Sequence, residues 1–338
     1  MWRVPTTWLV LLAACSGALE GAKTLDLYFI DTEGGQATLV VGPSGQSLLI
    51  DTGYTGFGGR DTLRIAAAAK DAGVKKIDYL LITHFHDDHV GGVANLLDRF
   101  PVAMFLDHGP SVESHDYPAP YAAAFAKGQH KVLMPGDKIG IKDLDVTVVA
   151  AGGKNIGDTS SKAGSKTGEP NPNCAAIPEG HSDLEAGENS RSLGIVVTFG
   201  KFRFADLGDL TWNKQLALLC PENKVGKVDL YLTTHHGGDD SPKAIWGLAP
   251  RVAIMNNGPM KGGDPAGWKT VMASPGLEDL WQLHFALAGG KETNVPDTFI
   301  ANVDANDQGR HLKVSALADG SFTVTNPRNK FTKTYAAK

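Results

Sequence analysis

Residues Thr83 to Gly92 read Thr-His-Phe-His-Asp-Asp-His-Val-Gly-Gly, so three imidazoles and the Asp88 carboxylate fall within six residues, just after a strand-like run. Nitrogen and oxygen donors packed this closely form a ligand set suited to zinc, manganese or iron. In an extended turn, His84 and His86 point to the same side and can hold one metal. Asp88 and His89 can reach a second at the start of the following helix. Gly91 and Gly92 carry no Cβ and let that helix pack close behind the loop. No rival chemistry competes: there is no Ser-His-Asp or Cys-His arrangement, no C-x-x-C spacing, and no Walker-type or G-x-G-x-x-G loop after a strand.

Elements on either side must position this cluster. Thr24 to Ile30, Thr38 to Val41 and Gln46 to Ile50 read as strands, with a turn at Asp31 to Gly35 and an ending at Asp51-Thr52-Gly53. Thr62 to Ala72 predicts a helix, and Ile77 to Thr83 a buried strand that leads into the histidines. Val90 to Phe100 has helical apolar spacing, and Val102 to Leu106 and Leu144 to Ala150 read as strands. Residues 152 to 190, rich in Gly, Ser, Lys, Asn and Pro, carry almost no periodic signal and predict a long loop, either functional or mobile, that covers the site. Strands resume at Leu193 to Phe199, Phe202 to Ala205, Val228 to Thr234 and Arg251 to Asn256. Helices are expected at Asn213 to Leu219 and Leu277 to Leu287, and a hairpin around Asp319-Gly320. Alternating strands and helices without a repeat or an internal boundary argue for one layered α/β domain over residues 24 to 338.

His84-x-His86-x-Asp88-His89 in this strand–loop–helix setting resembles the signature of the metallo-β-lactamase fold superfamily. Tyr28-Phe29-Ile30-Asp31 and Leu48-Leu49-Ile50-Asp51-Thr52-Gly53 look like its opening strands. The likeness is greatest to the hydrolase domain of bacterial DNA-uptake competence proteins. Glu188-Asn189-Ser190-Arg191-Ser192-Leu193 resembles their Asn-x-x-Ser element, and His235-His236-Gly237 their paired-histidine motif.

The resemblance implies a four-layer αββα sandwich with two divalent ions, zinc first and manganese or iron as alternatives, at one edge of the sheets. His84 and His86 would hold the first ion, and Asp88 and His89 the second. Asp209, in Leu207-Gly208-Asp209, would bridge them. His235, directly after its strand, would complete the second site, with His236 as the alternative. Asn189 takes the place of the third histidine that most members give the first ion, and His181 is the alternative there. Gln36 departs from the competence-type pattern, which has an aspartate. Asp88 and Asp209 are the expected catalytic carboxylates, orienting a metal-bound hydroxide. Asp51 is expected behind the ligands, orienting an imidazole, with Asp87 either there or facing solvent. His108, Asn256 and Asn257 are candidates to line the site. His115, His130, His284 and His311 have no ligand-like spacing.

Composition narrows the setting. The formal charge of −5 over 338 residues leaves no basic footprint for a long nucleic acid. Arg3 followed by the apolar run Trp8 to Ala14 reads as an export signal over residues 1 to 18. It ends either in a lipobox at Cys15, giving an envelope-anchored lipoprotein, or in ordinary cleavage after Ala18. Cys174 and Cys220 remain, and an exported compartment permits them to pair. The expected activity is exported, metal-dependent hydrolysis of a small or short phosphodiester. A lactam, lactone or thioester hydrolase is the alternative, and a metal-carrying envelope module without catalysis is the third reading.

Overall fold

Along the first strand, Leu25–Phe29, the side chains of Leu25, Leu27 and Phe29 enter one apolar cluster and that of Tyr28 enters another. The same alternation recurs on both sheets and generates the layers. The computed structural model describes residues 23–158, 168–176, 187–238, 240–304 and 308–338. Residues 1 to 18, where an export signal with Cys15 is expected, and His181 lie outside the described residues.

Two nine-stranded sheets face each other. The first runs Phe331–Tyr335, Phe322–Asn326, Leu312–Ala316, Leu25–Phe29, Thr38–Val41, Ser47–Ile50, Ile77–Leu81, Val102–Asp107, Gln129–Val132. The second runs Ile300–Asn302, Asp279–His284, Val252–Met255, Leu230–Leu232, Phe202–Asp206, Gly194–Phe199, Asp145–Ala151, Lys138–Ile139, with Lys154–Asn155 paired to Asp145–Ala151. Phe29, Leu81, Phe204, Leu232, Ile254 and Trp281 belong to the core between the sheets. Ile65, Ala68, Val93, Leu96 and Tyr121 cover the outer face of the first sheet. Leu218, Ala244, Ile245, Leu248 and Val271 cover that of the second. The result is the expected αββα sandwich.

This topology assembles the site. Phe202–Asp206 and Leu230–Leu232 are parallel neighbours, with Asp206 beside Leu232, so Asp209 and His235-His236 leave the sheet at the same edge. Ile77–Leu81 delivers His84 from the facing sheet. The Leu193 N–H donates to the Thr83 carbonyl over 2.8 Å and joins the two sheets at that edge.

Most expected strands fall within a residue or two of the observed ones. The helix expected over Leu277 to Leu287 is instead the parallel strand Asp279–His284. Trp281 and Leu283 face the central core while Leu280 faces the outer one, so burial on both sides removed the alternation that marks a strand. The single helix expected over Val90 to Phe100 is two short ones, Asp87–Val90 and Val93–Leu97, separated at Gly91-Gly92. The loop over 152 to 190 is not structureless. Glu169–Pro170 pairs with Glu222–Asn223, and Cys174 is disulfide-bonded to Cys220 at the end of the helix Trp212–Leu219. The described segment 168–176 is therefore tied to the outer helical layer. Among the described residues, no helix is long and apolar enough to cross a membrane.

Gly91 and Gly92 serve close approach rather than an unusual backbone angle. A Cβ on Gly92 would lie 2.2 Å from the Thr52 carbonyl oxygen, and one on Gly91 2.4 Å from the Thr55 nitrogen. Gly92→Ala is expected to lower stability by about 1–3 kcal/mol through overpacking, read as a lower midpoint in thermal denaturation. An unchanged midpoint would show that the loop yields.

Candidate metal centre

Site residues come from four segments, each held by its own backbone contacts. Thr83 sits at the end of the delivering strand, and its N–H and hydroxyl both donate to Asp51, at 2.7 Å each. Asp51 follows the strand Ser47–Ile50 with φ 60°, a left-handed conformation that aspartate tolerates better than most residues. From there its Oδ2 lies 2.7 Å from His89 Nδ1. The Thr52 N–H and hydroxyl donate to the His89 carbonyl over 2.7 and 2.9 Å, which laces the two loops together. Asp51 thus orients a ligand imidazole, as the sequence suggested.

Asp88, His89, Asp209 and His236 are buried, and one ligand atom from each lies within 4.8 Å of all the others. Asp209 Oδ2 is central. The Nε2 atoms of His89, His236, His235 and His84 stand 3.3, 3.4, 3.7 and 3.9 Å from it. His236 Nε2 is also 3.1 Å from Asp88 Oδ2. Behind it the Asn256 amide lies 3.2 Å from His236 Nδ1. Asn256 Nδ2 is the atom that meets this ring nitrogen, and the contact holds the imidazole with Nε2 toward the cluster. On the other side His84 Nε2 and His86 Nδ1 are 3.0 Å apart. His84 Nδ1 faces the hydroxyls of Thr83 at 3.2 Å and Ser192 at 3.4 Å.

The preference for His235 over His236 as partner of Asp88 and His89 is corrected by this placement. His236 is buried at 1 % and joins that cluster, whereas the His235 side chain is 37 % exposed at the mouth. Following directly after the strand does not decide orientation, because both residues adopt left-handed angles that reverse the expected facing. Asn189 lies in the short 3₁₀ turn Glu188–Arg191 beside the site. Asn256 and Asn257 are buried, and Asn257 donates to the His284 carbonyl, so both support the site from behind rather than lining it. His108 Nε2 holds Glu188 Oε1 at 3.0 Å instead of facing the centre. Asp87 is exposed. Gln36 donates to Asp206 over 2.9 Å, and its own N–H donates to the Asp88 carbonyl over 3.0 Å, so the glutamine still supports Asp88.

Three contributors had no role assigned from the sequence. Glu188 accepts from the N–H groups of Phe85 and Val112, from Ser111 and from His108, and so fixes the loop between His84 and His86. Ser192 accepts from the Asp209 N–H. Lys261 places its ammonium on Asp88 Oδ2, with Tyr54 Oη 3.2 Å away. Ser192 is the serine of the Asn-x-x-Ser element, whereas Glu188 and Lys261 are ordinary polar residues far along the chain from their partners, with no spacing to betray their roles.

Electrostatics favour cations here. Burial by itself would depress His89, but the carboxylates of Asp209, Asp51 and Asp88 overcome it and hold the imidazole well above its ordinary range. His236 is raised despite burial, chiefly by Asp209. Burial opposes ionisation of Asp209, yet His236 and His89 hold its carboxyl well below the usual range. Burial and the neighbouring His89 keep His84 neutral. His89 Nε2 and Asp209 Oδ1 are buried without a hydrogen-bond partner among the described residues. Buried polar atoms are rarely left so. Convergent imidazoles, shared carboxylates and these open valences fit divalent metal binding.

Two outcomes follow. Protons on His89 and His236 must leave before an ion enters, so apparent affinity should fall on acidification, about tenfold per pH unit for each displaced proton. Titration calorimetry in buffers of different ionisation enthalpy reads that release, and a pH-independent affinity would contradict it. Asp51→Asn keeps a residue that tolerates left-handed backbone but removes the charge on His89. It should weaken metal binding about 10–100-fold, measured by competition with a chelating dye.

Residues 30–166 match the model of the metallo-beta-lactamase superfamily. Hydroxyacylglutathione hydrolase of Erwinia tasmaniensis is 37% identical over 81 residues, 24% of this chain and 27% of that protein. Atrochrysone carboxyl ACP thioesterase dmxR1 of Cryptosporiopsis sp. is 34% identical over 79 residues, 23% of this chain and 24% of that protein. The chain thus spans about a quarter of the length of these curated relatives. Among solved structures, the metallo-beta-lactamase fold protein YhfI of Bacillus subtilis superposes with a TM-score of 0.45 at 10% identity, covering 77% of this chain and 96% of that one. The match to the metallo-beta-lactamase superfamily over residues 30–166 contains the motif that builds the centre.

Proposed function

We propose that this protein is an exported metal-dependent hydrolase with two divalent ions, acting on a small or short phosphodiester. The observation that carries the reading is a single oxygen, Asp209 Oδ2, within 4 Å of four imidazole Nε2 atoms. Ions held there supply Lewis-acid polarisation of the substrate and a water acidified toward neutral pH. The chain does the positioning. Asp51 and Asn256 fix the rings of His89 and His236, Glu188 fixes the loop carrying His86, and Asp209 and Asp88 offer carboxylate oxygens to orient the water and take its proton. The Lys261 side chain, 40 % exposed beside Asp88, offers a cation to an anionic group of the substrate.

The likeness of Glu188 to Leu193 and of His235-His236-Gly237 to competence-type hydrolases supports the phosphodiester, since both elements flank the centre. The formal charge of −5 disfavours a long nucleic acid. The Cys174–Cys220 disulfide supports an oxidising compartment, in line with export to the periplasm or envelope. A second reading, thioester hydrolysis, is favoured by the names of the two curated relatives, one a hydroxyacylglutathione hydrolase and the other an ACP thioesterase.

Turnover of bis(p-nitrophenyl) phosphate and of a chromogenic thioester by zinc- and manganese-loaded protein separates the readings. The phosphodiester should be cleaved, and His86→Ala/Asp88→Ala, which strips a ligand from each ion, should lose at least about 100-fold in kcat/KM. Cleavage of the thioester alone would establish the second reading. No cleavage of either by fully loaded protein would leave a metal-carrying module.

A further inference from the structure

Counting ligands leaves the two metal positions unequal. Asp88, His89 and His236 converge with Asp209 on one position, which gives it four protein ligands. The other has His84 Nε2, His86 Nδ1 and a share of Asp209 Oδ2, one fewer. Protein zinc sites are built on three or four such donors, and a site sharing one of its three is weak.

His235 is placed to make up the difference. Its Nε2 lies 3.7 Å from the same Asp209 oxygen, close to the 3.9 Å of His84 Nε2, and it approaches from the open side of the site. The backbone is bent to put it there. His235 and His236 have φ 50° and 57°, two consecutive left-handed residues that are not glycine. Such a pair is strained and persists only where surrounding contacts hold it. Those contacts are present: His235 N–H donates to the Gly208 carbonyl over 3.2 Å, and Gly263 N–H to the His236 carbonyl over 2.8 Å. The bend splays the rings, centroids 5.9 Å apart, one into the buried cluster and one to the mouth. One histidine here would serve the buried cluster without that arrangement; two rings directed apart serve two positions.

We propose that His235 completes the first metal position with His84, His86 and the shared Asp209, while His236 belongs to the second. The assignment rests on the two-ion reading above and changes the division of labour within it. The first ion then takes its remaining donor, an imidazole, from the segment after Leu230–Leu232 rather than the Asn189 amide from the turn Glu188–Arg191. That segment also supplies the second ion, so one strained turn serves both positions. Asn189, whose Oδ1 is buried without a partner among the described residues, is the competing donor.

The test is metal content after dialysis against buffered free zinc, with cobalt absorption as the spectroscopic readout, on full-length protein. Wild type should hold two ions per chain. His235→Asn, chosen because asparagine tolerates left-handed backbone, and His235→Ala should each hold one, with the same one-ion cobalt spectrum as His86→Ala. Asn189→Ala should keep two. Two ions in both His235 variants at affinities within about twofold of wild type would overturn the assignment. Loss of one ion in Asn189→Ala alone would transfer it to Asn189. Fewer than two ions in wild type would instead overturn the two-ion reading itself. Thermal midpoints of the His235 variants near that of the metal-free wild type show that a lost ion is not lost folding.

Discussion

A carboxylate 2 % exposed, with four imidazoles around one of its oxygens, is the constraint on which the rest of this structure depends. Taking an ionised carboxylate out of water costs several kcal/mol unless cations or donors compensate. Around Asp209 the compensation comes from rings that must arrive from two different sheets. Facing sheets with parallel neighbours at one edge accomplish this, because parallel strands bring their following loops to the same side. The link from Leu193 to Thr83 sets the sheets in register where those loops meet.

The surrounding residues read as consequences of that demand. Asp51, Thr83 and Thr52 fix His89 from behind; Asn256 does the same for His236, and Ser192 for both His84 and the Asp209 backbone. Lys261 lends a positive charge to Asp88 from more than 170 positions along the chain. Deeper still, burial together with the Asp51 charge pushes the Asp206 carboxyl up to about 7, while Gln36 and the Gly208 N–H hold it in place. A glutamine at position 36 is therefore compatible with Asp206. An aspartate there would set another buried charge against one that already ionises reluctantly.

The sequence declared the parts of this design that are local. His84, His86, Asp88 and His89 are close in the chain, and the strand before them is apolar nearly throughout, so their chemistry and setting could be read directly. Asp51 was expected behind the histidines, orienting an imidazole, and its carboxylate lies against His89. Parts that depend on backbone conformation or distant contacts could not be read. The choice between His235 and His236 turns on two positive φ angles that no residue type reveals. Glu188, Ser192 and Lys261 matter only through partners brought near by folding. Leu277 to Leu287 misled for the opposite reason, since burial on both faces gave a strand the apolar spacing of a helix. The Cys174–Cys220 bond needed the paired segments Glu169–Pro170 and Glu222–Asn223 to bring its ends together.

Anomalous diffraction at the zinc edge from crystals of zinc-loaded protein tests the central claim most directly. Two peaks should appear about 3.5–4 Å apart, with Asp209 Oδ2 between them, His236 on the peak beside Asp88, and His235 on the peak beside His84. A single peak, or a pair that Asp209 does not bridge, would contradict the account.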